Sequence, residues 1–494
     1  MAEKEPSLPS NVKGTKLSHM QNFSKTQIRM TPSTGSTTVK AGDTTVFKLP
    51  SAKVVDLATL RFNFHAKTSG TSTQMVGLPK HVSSLISQFE IWCNGISIMN
   101  IPRYNHIYNI LRDYSSDYEK YQRKLLNNAD PSVDYVMDKT GAITKYNTYT
   151  TTGVELVNTF EKDYCIDDFI GFFDFSDDER QSFFNTNLVG DFEIHLTWAT
   201  DKVLWGQQTA GNYSITNLIG WIDAIDFKDG SFTSALESKI SGDGVHYMPF
   251  KNYRSYTGEN TTNSKITTIR VVENTNSLDK LIFTYLDPAM NTISNLQLGD
   301  PTNIVDSSAT EADGLVALNA LNTNNKKIPK SLFNFEYLKA TKNPHLLNTS
   351  RYFRRSGLGL GYNDTRTQTA LIQFELDSQD LHNPMDIVNV YEETLKAFEL
   401  NYNNIHMANP GINNLESWLK DFFVSAYSVS HVGGNKKGYL VSGIDTQASA
   451  INVAVKVSNQ AMDTDASQAG TPFLITEMTS FLKIGGGRSV SLLP

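Results

Sequence analysis

Apolar and polar residues alternate along many short stretches of the chain, and this alternation predicts β-strands. In KVVDLATLRFNFHAK, the side chains of Leu60, Phe62 and Phe64 share one face, and Arg61, Asn63 and His65 share the other. Such a pattern is typical of a strand with one buried face. Similar segments are predicted as strands in the first half, TTVFKLP, GDFEIHLTWAT and SITNLIGWIDAIDF, and in the second, SKITTIRVVE, DKLIFTYLD, LFNFEYLKA, ALIQFELD, FFVSAYSVSH, INVAVKV and PFLITEMTSFLKI.

The stretch FEIWCNGISIMNIPRYNHIYNIL changes from the period of a strand to that of a helix. Phe89, Ile91 and Cys93 point to one face, and Asn94-Gly95 suits a type I′ turn because both residues tolerate positive φ. The return strand ISIMNI ends at Pro102, which removes a backbone donor. Beyond it, an apolar stripe predicts a helix that packs on the preceding sheet: Tyr104, Ile107, Tyr108, Leu111, Tyr114, Tyr118, Tyr121 and Leu125. Charged residues lie off this stripe: Arg112, Glu119, Lys120, Arg123 and Lys124.

The order of these segments predicts two halves of similar plan. A Gly- and Ser-rich stretch at 227–247 is interpreted as the junction between them. Each half contains many short strands and one amphipathic helix, the second at NVYEETLKAFELNY. Polar, aperiodic segments at 129–185 and 287–330 are predicted to be insertions outside the two cores.

Short strands without alternating helices favour β-sandwiches over a doubly wound sheet. We therefore predict an all-β chain with two eight-stranded jelly-roll sandwiches side by side, a few helices and long loop insertions. The expected domains are an N-terminal arm at 1–42, a first jelly roll at 43–240, a second at 241–484 and a C-terminal tail at 485–494.

The composition and the net charge argue against some classes of function. The 494 residues include 39% hydrophobic and 11% aromatic residues, enough to build substantial cores. The net charge is −7, without the basic stripe that a nucleic-acid-binding protein usually has. The short basic clusters at 326–327 and 351–355 are interpreted as solvated loops. No sequence-specific binding of nucleic acid is therefore expected.

The cysteines and the apolar runs suggest folding in a reducing compartment. Only Cys93 and Cys165 are present, too few for a disulfide framework, and Cys93 is predicted to be a buried free thiol. The N-terminal MAEKEPSLPSN lacks the apolar core of a signal peptide, and no run approaches the roughly 20 apolar residues of a membrane span.

The sequence contains no catalytic, nucleotide-binding or metal-binding motif beyond what chance similarity would give. The glycines at 357–361 lack GxGxxG spacing, and those at 485–487 lack the spacing of a phosphate-binding loop. The histidines are scattered, and Asp463-Thr464-Asp465 lacks the rest of a calcium loop. The acidic residues at 167–168 and 177–179 are interpreted as surface clusters. We predict no catalytic, cofactor-binding or metal-ligating residue, although a β-sandwich glycosidase with two distant carboxylates stays open.

The segment LPKHVSSLISQFEIWCNGISIMNIPRYNHIYNILRDY, 78–114, resembles major capsid proteins of virophages and polinton-like viruses. The matching residues are Leu85, Ile86, Asn94, Gly95, Ile98, Ile101, Tyr104, Asn105, Asp113 and Tyr114. The chain's end, MTSFLKIGGGRSVSLLP, is similar to the closing strand and tail of that family. The first segment covers roughly a tenth of the chain, and the second adds a few per cent.

This resemblance implies a double jelly roll whose three copies form a pseudo-hexagonal capsomer of an icosahedral double-stranded DNA virus. Implied partners are other copies of the chain, penton proteins and minor capsid proteins. The implied location is the virion shell, after synthesis and assembly inside a host cell. The alternative is a carbohydrate- or receptor-binding β-sandwich, such as a spike or lectin, using loop aromatics predicted to be exposed at Trp205, Tyr213 and Tyr256.

Overall fold

The computed structural model describes the strand-forming parts of the chain. The described residues are 23–69, 76–79, 81–115, 135–137, 143–145, 161–175, 182–206, 212–227, 231–258, 266–286, 370–381, 385–386, 424–429, 443–447, 451–459 and 471–494. Predictions that lie outside them are the strand LFNFEYLKA, the helix NVYEETLKAFELNY, the insertion 287–330 and the helix beyond Ser115.

The first half folds as an antiparallel β-sandwich, which we call the first roll. Its elements are β1 (Phe23–Met30), β2 (Val39–Lys40), β3 (Thr44–Lys48), β4 (Val54–Ser69), β5 (Val76–Gly77), β6 (Ile86–Cys93), β7 (Ile96–Pro102), α1 (Tyr104–Ser115), β8 (Tyr135–Met137), β9 (Ile143–Lys145), β10 (Glu161–Ile166), β11 (Phe183–Asn185), β12 (Phe192–Trp198), β13 (Trp205–Gly206) and β14 (Asn212–Phe227).

Helix α2 (Ser231–Asp243) leads into a second sandwich, the second roll. Its strands are β15 (Val245–Thr257), β16 (Ile266–Glu273), β17 (Leu278–Leu286), β18 (Ala370–Leu376), β19 (Gln379–Asp380), β20 (Met385–Asp386), β21 (Ser425–Ser428), β22 (Ile451–Asn459), β23 (Thr471–Gly485) and β24 (Val490–Leu493).

The two rolls share one strand order. The first roll pairs its strands as β1-β14-β4-β10 and β3-β12-β6-β7, and the second as β15-β23-β17-β21 and β16-β22-β18-β19. In each, the first strand (β1 or β15) pairs with the last long strand (β14 or β23), and successive strands pass between the two sheets in the same sequence. Each roll therefore has eight equivalent strands, as the sequence predicted.

The alternating patterns are confirmed in detail. In β4, Leu60, Phe62 and Phe64 are buried while the residues between them are partly exposed. The turn residues Asn94 and Gly95 have φ values of 50° and 77°, as a type I′ turn requires. The Cys93 side chain is fully buried, and burial raises the pKa of its thiol to about 12.

The described parts of the predicted N-terminal arm and C-terminal tail contain paired strands. Within the arm predicted at 1–42, Phe23–Met30 forms β1, paired with β14 along its whole length. Its residues are mostly exposed on both faces, so it has no apolar alternation to reveal it. Within the tail, β24 folds back on β23, with Leu493 opposite Phe481.

Two segments predicted to be irregular are ordered parts of the fold. The 129–185 segment was predicted to lie outside the barrels, and this is wrong for its second part. There β10 pairs with β4, and Phe169, Ile170 and Phe172 are buried in the core. The Gly- and Ser-rich junction contains α2, and the predicted domain boundary at 240/241 falls inside this helix.

Candidate functional site: the contact between the two rolls

Helix α1 is buried on all sides in its first nine residues, 104–112, because it lies between the two rolls. On one side, Tyr104 packs edge-on against Phe89 of β6 with ring centroids 5.2 Å apart. On the other side, His106 lies 6.2 Å from the ring of Phe473, in β23 of the second roll. The sequence predicted only the first of these contacts, since the stripe described one face.

Arg112 anchors α1 to the segment that follows β10. Its Nη2 donates to the Phe169 carbonyl at 2.7 Å and lies 2.8 Å from an Asp168 carboxylate oxygen and 3.3 Å from one of Asp174. The Tyr108 hydroxyl donates to the other Asp168 oxygen at 2.8 Å. Arg112 is buried, although the sequence pattern predicted it off the packed stripe. Asp168 is therefore part of a structural ion cluster that positions the helix.

The anchored segment itself reaches the second roll. Its turn Gly171–Phe173 contacts β15, where the Phe172 and Phe250 rings meet edge to face at 5.2 Å. Gly171 has a φ of 87°, and a Cβ there would lie 2.5 Å from the Met99 sulfur. Only glycine fits this close turn. Nearby, the Ser255 hydroxyl of β15 donates to the Pro102 carbonyl.

The turn between β23 and β24 closes the opposite end of the contact. Its Arg488 carbonyl accepts a hydrogen bond from Asn94 Nδ2 at 3.0 Å, so the β6–β7 turn is tied to the second roll. The Arg488 guanidinium donates to the carbonyl and side-chain oxygens of Asn187 at 3.1 and 3.3 Å. The glycines at 485–487 thus shape a hairpin turn that joins the rolls.

Burial sets the chemistry of His106. Desolvation, helped by the nearby Arg103 charge, lowers the pKa of His106 to about 3. This histidine is therefore neutral at physiological pH. Its ring contributes to the contact by packing against Phe473.

Buried carboxylates of the second roll that could have suggested acid–base catalysis have basic partners. Lys251 Nζ lies 2.7 Å from Asp279 and 3.6 Å from Glu477, which also faces Lys280 at 3.4 Å. Burial opposes the ionisation of Glu477, but Lys280 and Lys251 together hold its pKa below the usual value. These groups form a neutralised cluster on the sheet.

Glu273 and Glu375 have similar environments. Arg254 pairs with Glu273 at 2.9 Å, and Lys456 pairs with Glu375. Among the described residues, no group of three or more His, Cys, Asp and Glu side chains could hold a metal ion. The described part of the chain also contains no helix long and apolar enough to span a membrane.

Of the three aromatic residues named for carbohydrate binding, the two whose side chains are described are not exposed loop residues. Tyr213 is buried, and its hydroxyl donates to the Ala199 carbonyl. Tyr256 is half-buried, and burial, with the Glu273 charge, raises its pKa to about 12. The Trp205 side chain lies outside the described residues, as do the residues at 326–327, 351–361, 177–179 and 463–465.

A shallow cleft of about 280 Å³ lies on the first roll, lined by Trp92, Asn94, Gly95, Asp191, Glu193 and His195. The Trp92 and His195 rings stack at 5.9 Å, and Glu193 bonds both His195 and Lys48. These side chains already pair with one another across the sheet. The sequence did not predict this cluster, because its members come from two separate strands.

No protein-family model and no curated protein matches the chain. Solved structures do. The quasi-atomic model of the PBCV-1 virus capsid is 11% identical with a TM-score of 0.55, over 96% of this chain and 97% of that one. PBCV-1 VP54, fitted into a reconstruction of the virophage Sputnik, is 11% identical with a TM-score of 0.53 and the same coverage. A cryo-EM structure of Sputnik itself is 12% identical with a TM-score of 0.49, over 96% of this chain and 88% of that one.

At such low identity, the first two similarities establish the fold and no more. They extend over nearly the whole chain, so the likeness includes both rolls and their arrangement. The chain has the double jelly-roll fold that its sequence predicted.

Proposed function

We propose that the chain is the major capsid protein of an icosahedral double-stranded DNA virus of the virophage or polinton-like type. The observation that carries the proposal is the pair of equivalent eight-stranded rolls joined by a buried contact. Three such chains present six similar rolls, which suits a building block with six neighbours. The likeness to the PBCV-1 capsid over 96% of the chain supports this reading.

The role is structural. The contact between the rolls consists of packed rings, an ion cluster and backbone hydrogen bonds, which fix one roll against the other. A rigid two-roll unit is what a repeating shell needs, because every copy must present the same surfaces. We further propose that the chain resides in the virion shell after assembly in a host cell, with penton and minor capsid proteins as partners.

The test is the assembly state of the purified full-length chain. Size-exclusion chromatography with light scattering should find three chains of 55.1 kDa per particle at micromolar concentration. Negative-stain electron microscopy should show particles of hexagonal outline, and closed shells under assembly conditions. A chain that stays monomeric across the micromolar range would contradict the proposal. Binding to a glycan array by that monomer would favour the carbohydrate-binding alternative instead.

A further inference from the structure

Two equivalent sheets of the chain differ in how they are covered. In the second roll, every residue of β23 from Pro472 to Ser480 is buried, so both faces of the sheet are covered. In the first roll, the equivalent β14 alternates between buried and partly exposed residues from Asn212 to Ile222. Its neighbour β1, equivalent to β15, is exposed over most of its length. The outer face of the β1-β14-β4-β10 sheet, which we call the open face, is therefore not covered by the residues that the structure describes.

The cover of the second-roll sheet is supplied by the first roll. Contacts run from β7, α1 and the turn at 171–173 onto β15 and β23, through His106 on Phe473, Phe172 on Phe250 and Pro102 on Ser255. At the end of this contact, the Asn94-Gly95 turn meets the residues that follow β23. One side of a roll thus packs against the long sheet of the next roll.

The second roll has an equivalent of the hairpin that makes part of this contact. Its β18–β19 hairpin is the equivalent of the β6–β7 hairpin, and Leu376 pairs with Gln379 around a two-residue turn. The turn residues Asp377 and Ser378 have φ values of 50° and 66°, matching the conformation of Asn94-Gly95. In a single chain, this hairpin has no third roll to pack against.

The open face has the residues of a protein contact. Arg29, Trp221 and Arg61 lie opposite one another on three adjacent strands, with Trp221 and Arg61 partly exposed and Arg29 exposed. Tryptophan and arginine are the residues most enriched in interface hot spots. The β18–β19 hairpin has exposed acidic residues, Asp377 and Asp380, whose charge complements the two arginines.

We propose that the open face binds the β18–β19 side of the second roll of another copy of this chain. The proposal rests on the proposed function and deepens it by naming the trimer contact. The contact is heterologous, and heterologous contacts form a closed ring when the rotation permits. In a ring of three chains, contacts within a chain and contacts between chains alternate, and every long sheet is covered.

The experiment compares oligomeric state in charge-introducing variants of the full chain. Trp221→Glu and Arg29→Glu each place a negative charge on the open face, facing the acidic hairpin. Each should raise the concentration for half-dissociation of the trimer at least tenfold, measured by mass photometry. Circular dichroism should show that the dissociated variants are folded monomers. If Trp221→Glu misfolds, Arg29→Glu still tests the contact, because Arg29 is at an exposed position of β1. Val272→Glu, at a site 58% exposed on β16, is the matched control and should remain trimeric.

The outcomes separate the two levels of the proposal. A wild-type chain that is monomeric overturns the proposed function and the trimer contact together. A trimeric wild type whose Trp221→Glu and Arg29→Glu variants stay trimeric overturns the assignment to the open face alone. Loss of the trimer in Val272→Glu to the same extent would also overturn it, since the effect would then not be specific to this face.

Discussion

At the scale of single residues, the backbone conformation of Gly95 is the clearest determinant of the β6–β7 turn. Its φ of 77° is needed for the two-residue turn, and a Cβ at this position would meet nothing within 4 Å. Gly95→Val therefore tests backbone strain without a steric clash. We expect unfolding to become easier by about 1–3 kcal/mol, the cost of a β-branched residue at positive φ. Chemical denaturation of the folded chain measures this.

Gly242→Val is the matched control for that substitution. Gly242 also has no atom within 4 Å of a built Cβ, but its φ is not positive. It lies in the last turn of α2, where valine is tolerated better than glycine. Equal destabilisation by both substitutions would contradict the turn assignment.

A second residue-scale prediction concerns His106 and acid. Its folded-state pKa of about 3 lies below the ordinary value of 6.5, so protons favour the unfolded chain. The stabilisation is complete above about pH 6.5 and is lost as the pH falls towards 3, by about 1.4 kcal/mol per pH unit. The non-titrating variant His106→Gln should lack this loss. Denaturation at pH 7.5 and pH 5 measures the free energy of unfolding of both proteins. It should fall more for the wild type than for His106→Gln, so the two values should approach each other at pH 5. An equal fall in both proteins would contradict the lowered pKa of His106.

At the scale of elements, strands with one covered face were predictable from sequence and the others were not. β4 and β12 alternate because one face is buried and the other meets solvent. β1 gave no signal because a strand at the sheet edge with two exposed faces needs no apolar side chains. The turn at 171–173 was missed because it is short and has no period.

The contact between the rolls was beyond local sequence patterns for a physical reason. The covering of α1 on its second side comes from Phe473, more than 350 positions along the chain. The burial of Arg112 depends on Asp168 and Asp174, which no helical spacing relates to it. Such partners become visible only when the fold brings them together. The same holds for Arg488 on the β6–β7 turn.

The element-scale prediction is that Arg112 holds α1 on the first roll. Arg112→Met keeps much of the apolar volume but leaves Asp168 and Asp174 without their buried cation. Removing one partner of a buried ion pair costs about 3–5 kcal/mol, so a loss of stability in that range is expected. The measurement is the free energy of unfolding in urea. Arg270→Met, at an exposed position of β16, should change it by less than about 0.5 kcal/mol.

The hydrogen-exchange pattern would show where Arg112→Met acts. Faster amide exchange should concentrate in α1 and in residues 168–174, since these are the elements the guanidinium joins. Uniform acceleration through both rolls would instead indicate a general loss of stability. Unchanged exchange in α1 would contradict the anchoring role.

At the scale of the whole molecule, the repeated strand order would allow three chains to present six similar rolls, as the proposed capsomer requires. Each roll offers a long sheet and a hairpin side, and within one chain one sheet of the second roll is covered by the first. In the part of the chain that the structure describes, the open face and the β18–β19 hairpin remain available for the proposed contact with other copies. The proposed capsid role would need such available surfaces, because a subunit that covered all its own surfaces would have none left for assembly.

The N-terminal residues give the last prediction, through two truncations that differ by one strand. A chain starting at Phe23 keeps β1, and with it Arg29 and the whole open face. It should form trimers normally. Residues 1–22 are polar and show no apolar periodicity in the sequence, so we expect them to act by binding a neighbour or minor protein. Their loss should lower the yield of closed shells seen by electron microscopy.

A chain starting at Thr31 lacks β1 as well. The edge of β14 then loses its partner from Gly220 to Phe227, and the open face loses Arg29. Light scattering should find mainly monomer, while the second roll keeps its protected amides in hydrogen exchange. Normal shells from the chain starting at Phe23 would contradict an assembly role for residues 1–22. Trimers from the chain starting at Thr31 would show that β1 is not part of the contact between copies.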